Sequence, residues 1–419
     1  MKTFNKTQSS LMSVYLLKIV LELFTTTFLT SHILQVSPDN IFGTGLLNIG
    51  LLYIAQNATY VITYFLLSYL VDKSNRVSFL RIGIFVNTLL LVALVFWGEI
   101  ISSWVVLAGV ILGLDSFFYS SYHVMKTELN GRSSVKNYHL LATVFTNLIK
   151  VIVPTILGFV IDASSYSAVA IYVVVIAVIQ FAISFGIKSH RPPESKFEVK
   201  KYLNYLKQNK DVKKKVNLTY LNAVLAGFKS TYKTIIIVLT IYTFKTNLNL
   251  GLFTSAFSLA TILLLMLFKK YDESPKLNKA LVYSIIGFLP LVSCIALVLW
   301  LNKTTLIIFN FALTIAVYFS DYFGSIERDA IIKNIGKYEF VAEHNMLIET
   351  IQASFKVVAY VIFVLIGFIG NILAFKILLV VFVAINPYKY FVMYRQRSIR
   401  KDFDQIRQQE MATEKSNEK

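Results

Sequence analysis

Charge is scarce in this sequence. Of 419 residues only 15% are Asp, Glu, Lys or Arg, against about a quarter in a soluble globular protein. With 56% of the residues hydrophobic, that shortage excludes an ordinary water-soluble domain. Cysteine is scarcer still. Cys294 is the only one, which excludes an internal disulfide and leaves no thiolate pair for a metal. Five histidines stand without the spacing of metal ligands, and no Gly-x-x-x-x-Gly-Lys-Ser/Thr loop for nucleotide phosphates occurs. No metal, cofactor or enzyme activity is expected. A signal peptide is not expected either, because the first apolar segment is too long and no small-residue cleavage site follows it.

What the sequence has instead is a series of apolar runs of about 20 residues, each long enough to cross roughly 30 Å of hydrocarbon as a helix. They lack the strict alternation of a membrane β-barrel. The runs predict an all-α integral membrane protein whose spans 1 to 12 lie near 11–35, 44–70, 78–98, 102–124, 138–162, 167–187, 217–243, 248–268, 280–301, 305–325, 345–370 and 372–393.

The net charge of +18 would suit a nucleic-acid binder, but its distribution argues otherwise. Basic residues collect in the tails and in alternate interspan segments, while the remaining segments hold only Lys245 and Lys303. This is the positive-inside pattern. It predicts both termini in the cytoplasm, a lipid bilayer as the partner and no nucleic acid. The expected location is a plasma membrane, of the bacterial kind suggested by the low cysteine count, with the chain a multi-pass monomer.

Segment 188–216 carries ten basic and three acidic residues, begins at the helix stop Arg191-Pro-Pro193, and reads as a surface helix around Phe197–Leu206. It divides the chain into 1–187 and 217–393, six spans each. A polar tail, 394–419, is expected to be disordered. Corresponding charges recur in the two halves. Asp115 and Asp321 are 206 positions apart, as are Lys150 and Lys356, and Lys18 and Glu22 stand 211 before Lys229 and Lys233. A diverged duplication predicts two pseudo-symmetric six-helix bundles.

Between spans 2 and 3 stands Ser68-Tyr-Leu-Val-Asp72-Lys73-Ser-Asn75-Arg76. It resembles the signature loop Gly-x-x-x-Asp-Arg/Lys-x-Gly-Arg of the major facilitator superfamily, with Ser68 and Asn75 in the two glycine positions. Serine remains small enough for close helix packing, and Asn75 tolerates a left-handed turn. The resemblance implies a twelve-helix secondary transporter in which Asp72, Lys73 and Arg76 form the cytoplasmic gate. In span 5, Lys150-Val-Ile-Val-Pro154-Thr-Ile-Leu-Gly158 faintly resembles a motif of exporters in this family and leans toward efflux.

Charges inside spans cost about 2.5–3.5 kcal/mol each when they face lipid. Lys18, Glu22, Asp115, Lys150, Lys229, Lys233, Asp321 and Lys356 are therefore expected to face a cavity or one another, as substrate and proton-coupling groups. Lys18 also lies within snorkelling distance of the membrane surface, or it neutralises Glu22 one turn away. Asp115 is expected to pair with Lys150, and Asp321 with Lys356. Glu22 is the candidate proton carrier, and two lysines in span 7 add weight to an anionic substrate beside an amphipathic one. The function expected is proton-coupled transport of a small organic solute. A lipid flippase on the same fold and a non-transporting receptor or scaffold are the alternatives.

Overall fold

The structure is a computed structural model, and it describes residues 5–37, 40–70, 75–129, 132–188, 198–273, 278–333 and 340–417. Among them every regular element is a helix. Eleven stretches are long and apolar enough to cross a membrane. One of these, Arg76–Tyr122, contains two crossings, because it turns back at the short 3-10 turn Gly98–Ile100. The return leg packs so tightly on the first that a Cβ on Gly83 would stand 2.6 Å from the backbone nitrogen of Phe118. Twelve spans result, six before the linker helix and six after it.

Spans 1, 4 and 7 are not regular. Span 1 (Lys6–Gln35) widens into a π-helix at Leu23–Phe28. Span 4 is broken between Ile101–Gly113 and Ser116–Leu129, and span 7 between Lys210–Lys229 and Tyr232–Phe244. Hydroxyls compete for the backbone at two of these places. Thr25 and Thr26 donate to the carbonyls of Leu21 and Glu22, and Ser230 and Thr231 donate to those of Gly227 and Phe228. Such back-bonding loosens the helical ladder, and π segments and breaks concentrate at functional positions. Spans 2 (Leu46–Leu70), 3 (Arg76–Trp97), 5 (Arg132–Ala163) and 6 (Tyr166–Ser184) are continuous. So are spans 8 (Asn247–Glu273), 9 (Lys279–Leu299), 10 (Lys303–Lys333), 11 (Val341–Ile369) and 12.

Large apolar side chains such as Phe96, Phe159, Tyr172, Val292 and Phe368 are exposed around the periphery, a surface that only hydrocarbon tolerates. Between helices, lipid supplies no hydrophobic drive, and close backbone approach over small residues takes its place. Span 5 meets span 8 in this way. A Cβ on Gly158 would lie 2.3 Å from the Asn247 carbonyl, and one on Gly251 would lie 2.3 Å from the Pro154 carbonyl. The Pro154–Gly158 segment therefore packs spans 5 and 8 against each other. Spans 2 and 11 form the second such contact between the halves.

Three expectations change. The tail is not disordered: span 12 runs without interruption from Ile372 to Asn417. Residues 394–417 lack glycine and proline and are rich in Lys, Arg, Gln and Glu, so a helix already nucleated in the membrane propagates through them. Asn75 adopts no left-handed turn. It is extended (φ −67°, ψ 110°) and caps span 3 by accepting from the Val77 amide at 3.1 Å. The linker helix (Val199–Gln208) is docked on the bundle, with Tyr202 and Leu206 buried against Val216 and Phe340. The Tyr202 hydroxyl shares hydrogen bonds of 2.7 Å with Nδ1 of His344 and 3.1 Å with the hydroxyl of Tyr220. Burial pushes its pKa well up, so it stays neutral.

Candidate functional site: a charged cavity between the halves

The irregular turns of spans 1, 4 and 7 carry the charges. Glu22 immediately precedes the π segment, Asp115 lies in the break of span 4, and Lys229 and Lys233 flank the break of span 7. Lys18 donates to both carboxylate oxygens of Asp115 at 2.7 Å and lies 5.7 Å over the ring of Phe118. In the second half Lys229 donates to Asp321 and, at 3.0 Å, to the hydroxyl of Ser320.

The ion pairs are thus Lys18–Asp115 and Lys229–Asp321, which corrects the expected Asp115–Lys150 and Asp321–Lys356 pairs. The two acids stand at corresponding positions, and each pairs with a lysine on the first span of its own half rather than on the second-last. Unwinding at Leu114–Asp115 directs the Asp115 carboxylate toward span 1 rather than along the hairpin to span 5. Lys18 does not snorkel: its side chain is only 2% exposed and is held by Asp115, from where its charge also acts on Glu22 one turn away.

One helical turn further along each span stand Glu22 and Lys233, equivalent positions of opposite charge. The Tyr119 hydroxyl donates to Glu22. Lys233 donates at 3.0 Å to the Thr26 hydroxyl of the other half. Lys150 makes no ion pair among the described residues and acts electrostatically on Lys233, as does Glu22. Lys356 is half-buried on span 11, with Glu349 two turns away as the charge acting on it.

The exposed members of this set are followed along their spans by buried residues. Lys150, Lys233 and Asp321 are exposed although each lies within a membrane-spanning helix. Beyond them, toward the end remote from the termini, Thr27 to Leu34 and Thr234 to Ile241 are almost all buried. The cavity is roofed by Tyr53 and Tyr360, stacked at 4.6 Å and hydrogen-bonded to Thr30 and Thr234. Past this roof, Asp162 at the end of span 5 accepts from the amides of Asn247 and Leu248 and from the Asn247 side chain, at 2.7–3.0 Å. Ser31 and Gln35 of span 1 complete the seal on Asn247.

A family model described as Major Facilitator Superfamily matches residues 10–326. The chain belongs to the major facilitator superfamily. Its fold agrees with that membership. A bacterial homologue of the iron transporter ferroportin, in an inward-facing state, superposes with a TM-score of 0.66 at 13% identity, over 94% of this chain and 99% of that one. The nucleoside transporter NupG, in a point-mutant form, superposes with a TM-score of 0.66 at 11% identity, over 93% of this chain and 99% of that one. A bacterial homologue of the human lysosomal transporter Spinster, inward-facing and unoccupied, gives 0.58 at 11%, over 92% and 97%. No curated protein sequence matches. At these identities the likeness shows the fold of this superfamily member and nothing of its cargo.

Of the expected gate, Asp72 and Lys73 lie outside the described residues, and Arg76 is buried at the start of span 3. Tyr119, Asp162 and Lys389 were not foreseen. Lys389, only 3% exposed, is placed by span 12 beside Lys229 and Asp321. Its position inside an apolar run was the available signal. Asp162 gave none, because an acid at a helix end resembles any loop residue until the N-terminus of another helix is seen against it.

Proposed function

We propose that this secondary transporter moves a small organic solute by alternating access and couples the movement to protons at Glu22. The observation that carries the reading is the opposition of Glu22 and Lys233 across one cavity. Ionised, Glu22 attracts Lys233 and holds the halves together without cargo. Protonated, it releases Lys233 to other partners. A carboxylate that takes and gives a proton here changes the force between the halves, which coupling requires. The distribution of Lys and Arg supports cytoplasmic termini in a plasma membrane, with the cavity then open inward.

The test is proton flux into proteoliposomes carrying a pH-sensitive dye, with candidate solutes added across an imposed pH gradient. Glu22→Gln keeps the shape and cannot carry the charge. It should abolish solute-dependent proton movement while solute exchange without a gradient persists. Full proton movement in that variant would remove Glu22 as the coupling group.

A further inference from the structure

The charges around the cavity do not cancel. Lys18–Asp115 and Lys229–Asp321 are paired within their own halves, and Lys356 has Glu349 on its own span. Glu22, Lys150 and Lys233 remain, two cations and one anion, and Lys389 adds a further cation beside the Lys229–Asp321 pair. Lys150 belongs to the first half and Lys233 to the second. Both are exposed within the bundle, and Lys233 already reaches across the divide to Thr26 at 3.0 Å. Spans 5 and 8 are locked together one turn above Lys150, at Pro154–Gly251 and by the hydrogen bond from Thr155 to Ser255 at 2.8 Å. Closing the open end therefore brings Lys150 and Lys233 together as water leaves. Like charges repel more strongly as the dielectric falls, and Glu22 can neutralise only one of them.

We propose that the transported solute is an organic anion, bound between Lys150 and Lys233. This rests on the carrier reading above and deepens it. An anion between the two lysines removes the repulsion that opposes closure, so occupancy and closure favour each other. Empty, the carrier closes on Glu22 alone. With Glu22 protonated and no anion present, the two lysines hold the cavity open.

The test uses the full chain with Thr26→Cys, which puts a thiol where Lys233 donates, and with buried Cys294→Ala to remove the only native thiol. Labelling rates are compared for an anionic, a cationic and a neutral methanethiosulfonate, each normalised to its rate with free mercaptoethanol. The expected result is an anionic rate at least about tenfold above the cationic one, the scale on which a charged cleft concentrates a counter-ion. Lys150→Gln with Lys233→Gln should invert the preference, because Glu22, one turn from position 26, is then the charge nearest the thiol while Lys389 stays beside the Lys229–Asp321 pair, and each single replacement should give an intermediate ratio. Cation preference with both lysines present, or a ratio unmoved by their removal, overturns the anion assignment and leaves the carrier reading standing. Failure of even the neutral reagent to label would remove the open cavity, and both readings with it.

Discussion

Lys18 holds both carboxylate oxygens of Asp115 at 2.7 Å, and Lys229 pairs with one carboxylate oxygen of Asp321 in the second half. The two pairs are equivalent in position but not in environment. Lys18 and Asp115 are 2% and 13% exposed, whereas Asp321 is 62% exposed. Breaking a buried pair strands its partner at a cost of about 3–5 kcal/mol, while removing both charges is far milder. Lys18→Met should therefore sharply lower the melting temperature of purified protein, and Lys18→Met with Asp115→Leu should recover most of the loss. Lys229→Met should cost less, because water reaches Asp321. Equal losses in the two halves, or no recovery in the double variant, would contradict the pairing.

Asp162 ties the end of span 5 to the start of span 8. Its carboxylate accepts from two free helix N–H groups, where the helix dipole also favours an anion. Each such charged hydrogen bond contributes about 1.5–3 kcal/mol, enough to shift a two-state equilibrium more than tenfold. Asp162→Ala should raise the labelling of a cysteine at Gln35 by a membrane-impermeant reagent added from the side remote from the termini. Unchanged labelling would mean that the roof of aromatic and hydroxyl groups seals the cavity alone.

The Gly158–Gly251 crossing leaves no room for a side chain. Gly251→Val should push span 8 off span 5 and lower both expression and melting temperature, while Gly324→Ala, whose Cβ would meet nothing nearer than 3.7 Å, should be silent. A stable, fully active Gly251→Val protein would show that the halves separate there at little cost.

Tyr202 joins the linker helix to spans 7 and 11. Tyr202→Phe keeps the ring in its apolar seat and removes the hydrogen bonds to His344 and Tyr220. A loss of about 0.5–1.5 kcal/mol per bond is expected, visible as faster proteolysis within 188–216 with little change in overall melting. Equal proteolysis rates would place the linker's hold in its apolar contacts alone.

The number and order of the spans follow from the amino-acid sequence, because hydrocarbon thickness and the cost of exposed backbone admit few alternatives. The matching spacing of charges in the two halves is likewise legible there, since it is a property of chain position alone. Which charges touch was decided by the tertiary structure. A regular helix would have pointed Asp115 toward one set of neighbours, and two residues of unwinding at Leu114–Asp115 pointed it to another. The break in span 7, the π segment after Glu22 and the reach of Asp162 to another helix's N-terminus depend on packing between segments far apart in the chain. Local propensity carries no record of such contacts. The tail shows the reverse case, in which a polar sequence compatible with disorder is helical because a membrane span had already nucleated it.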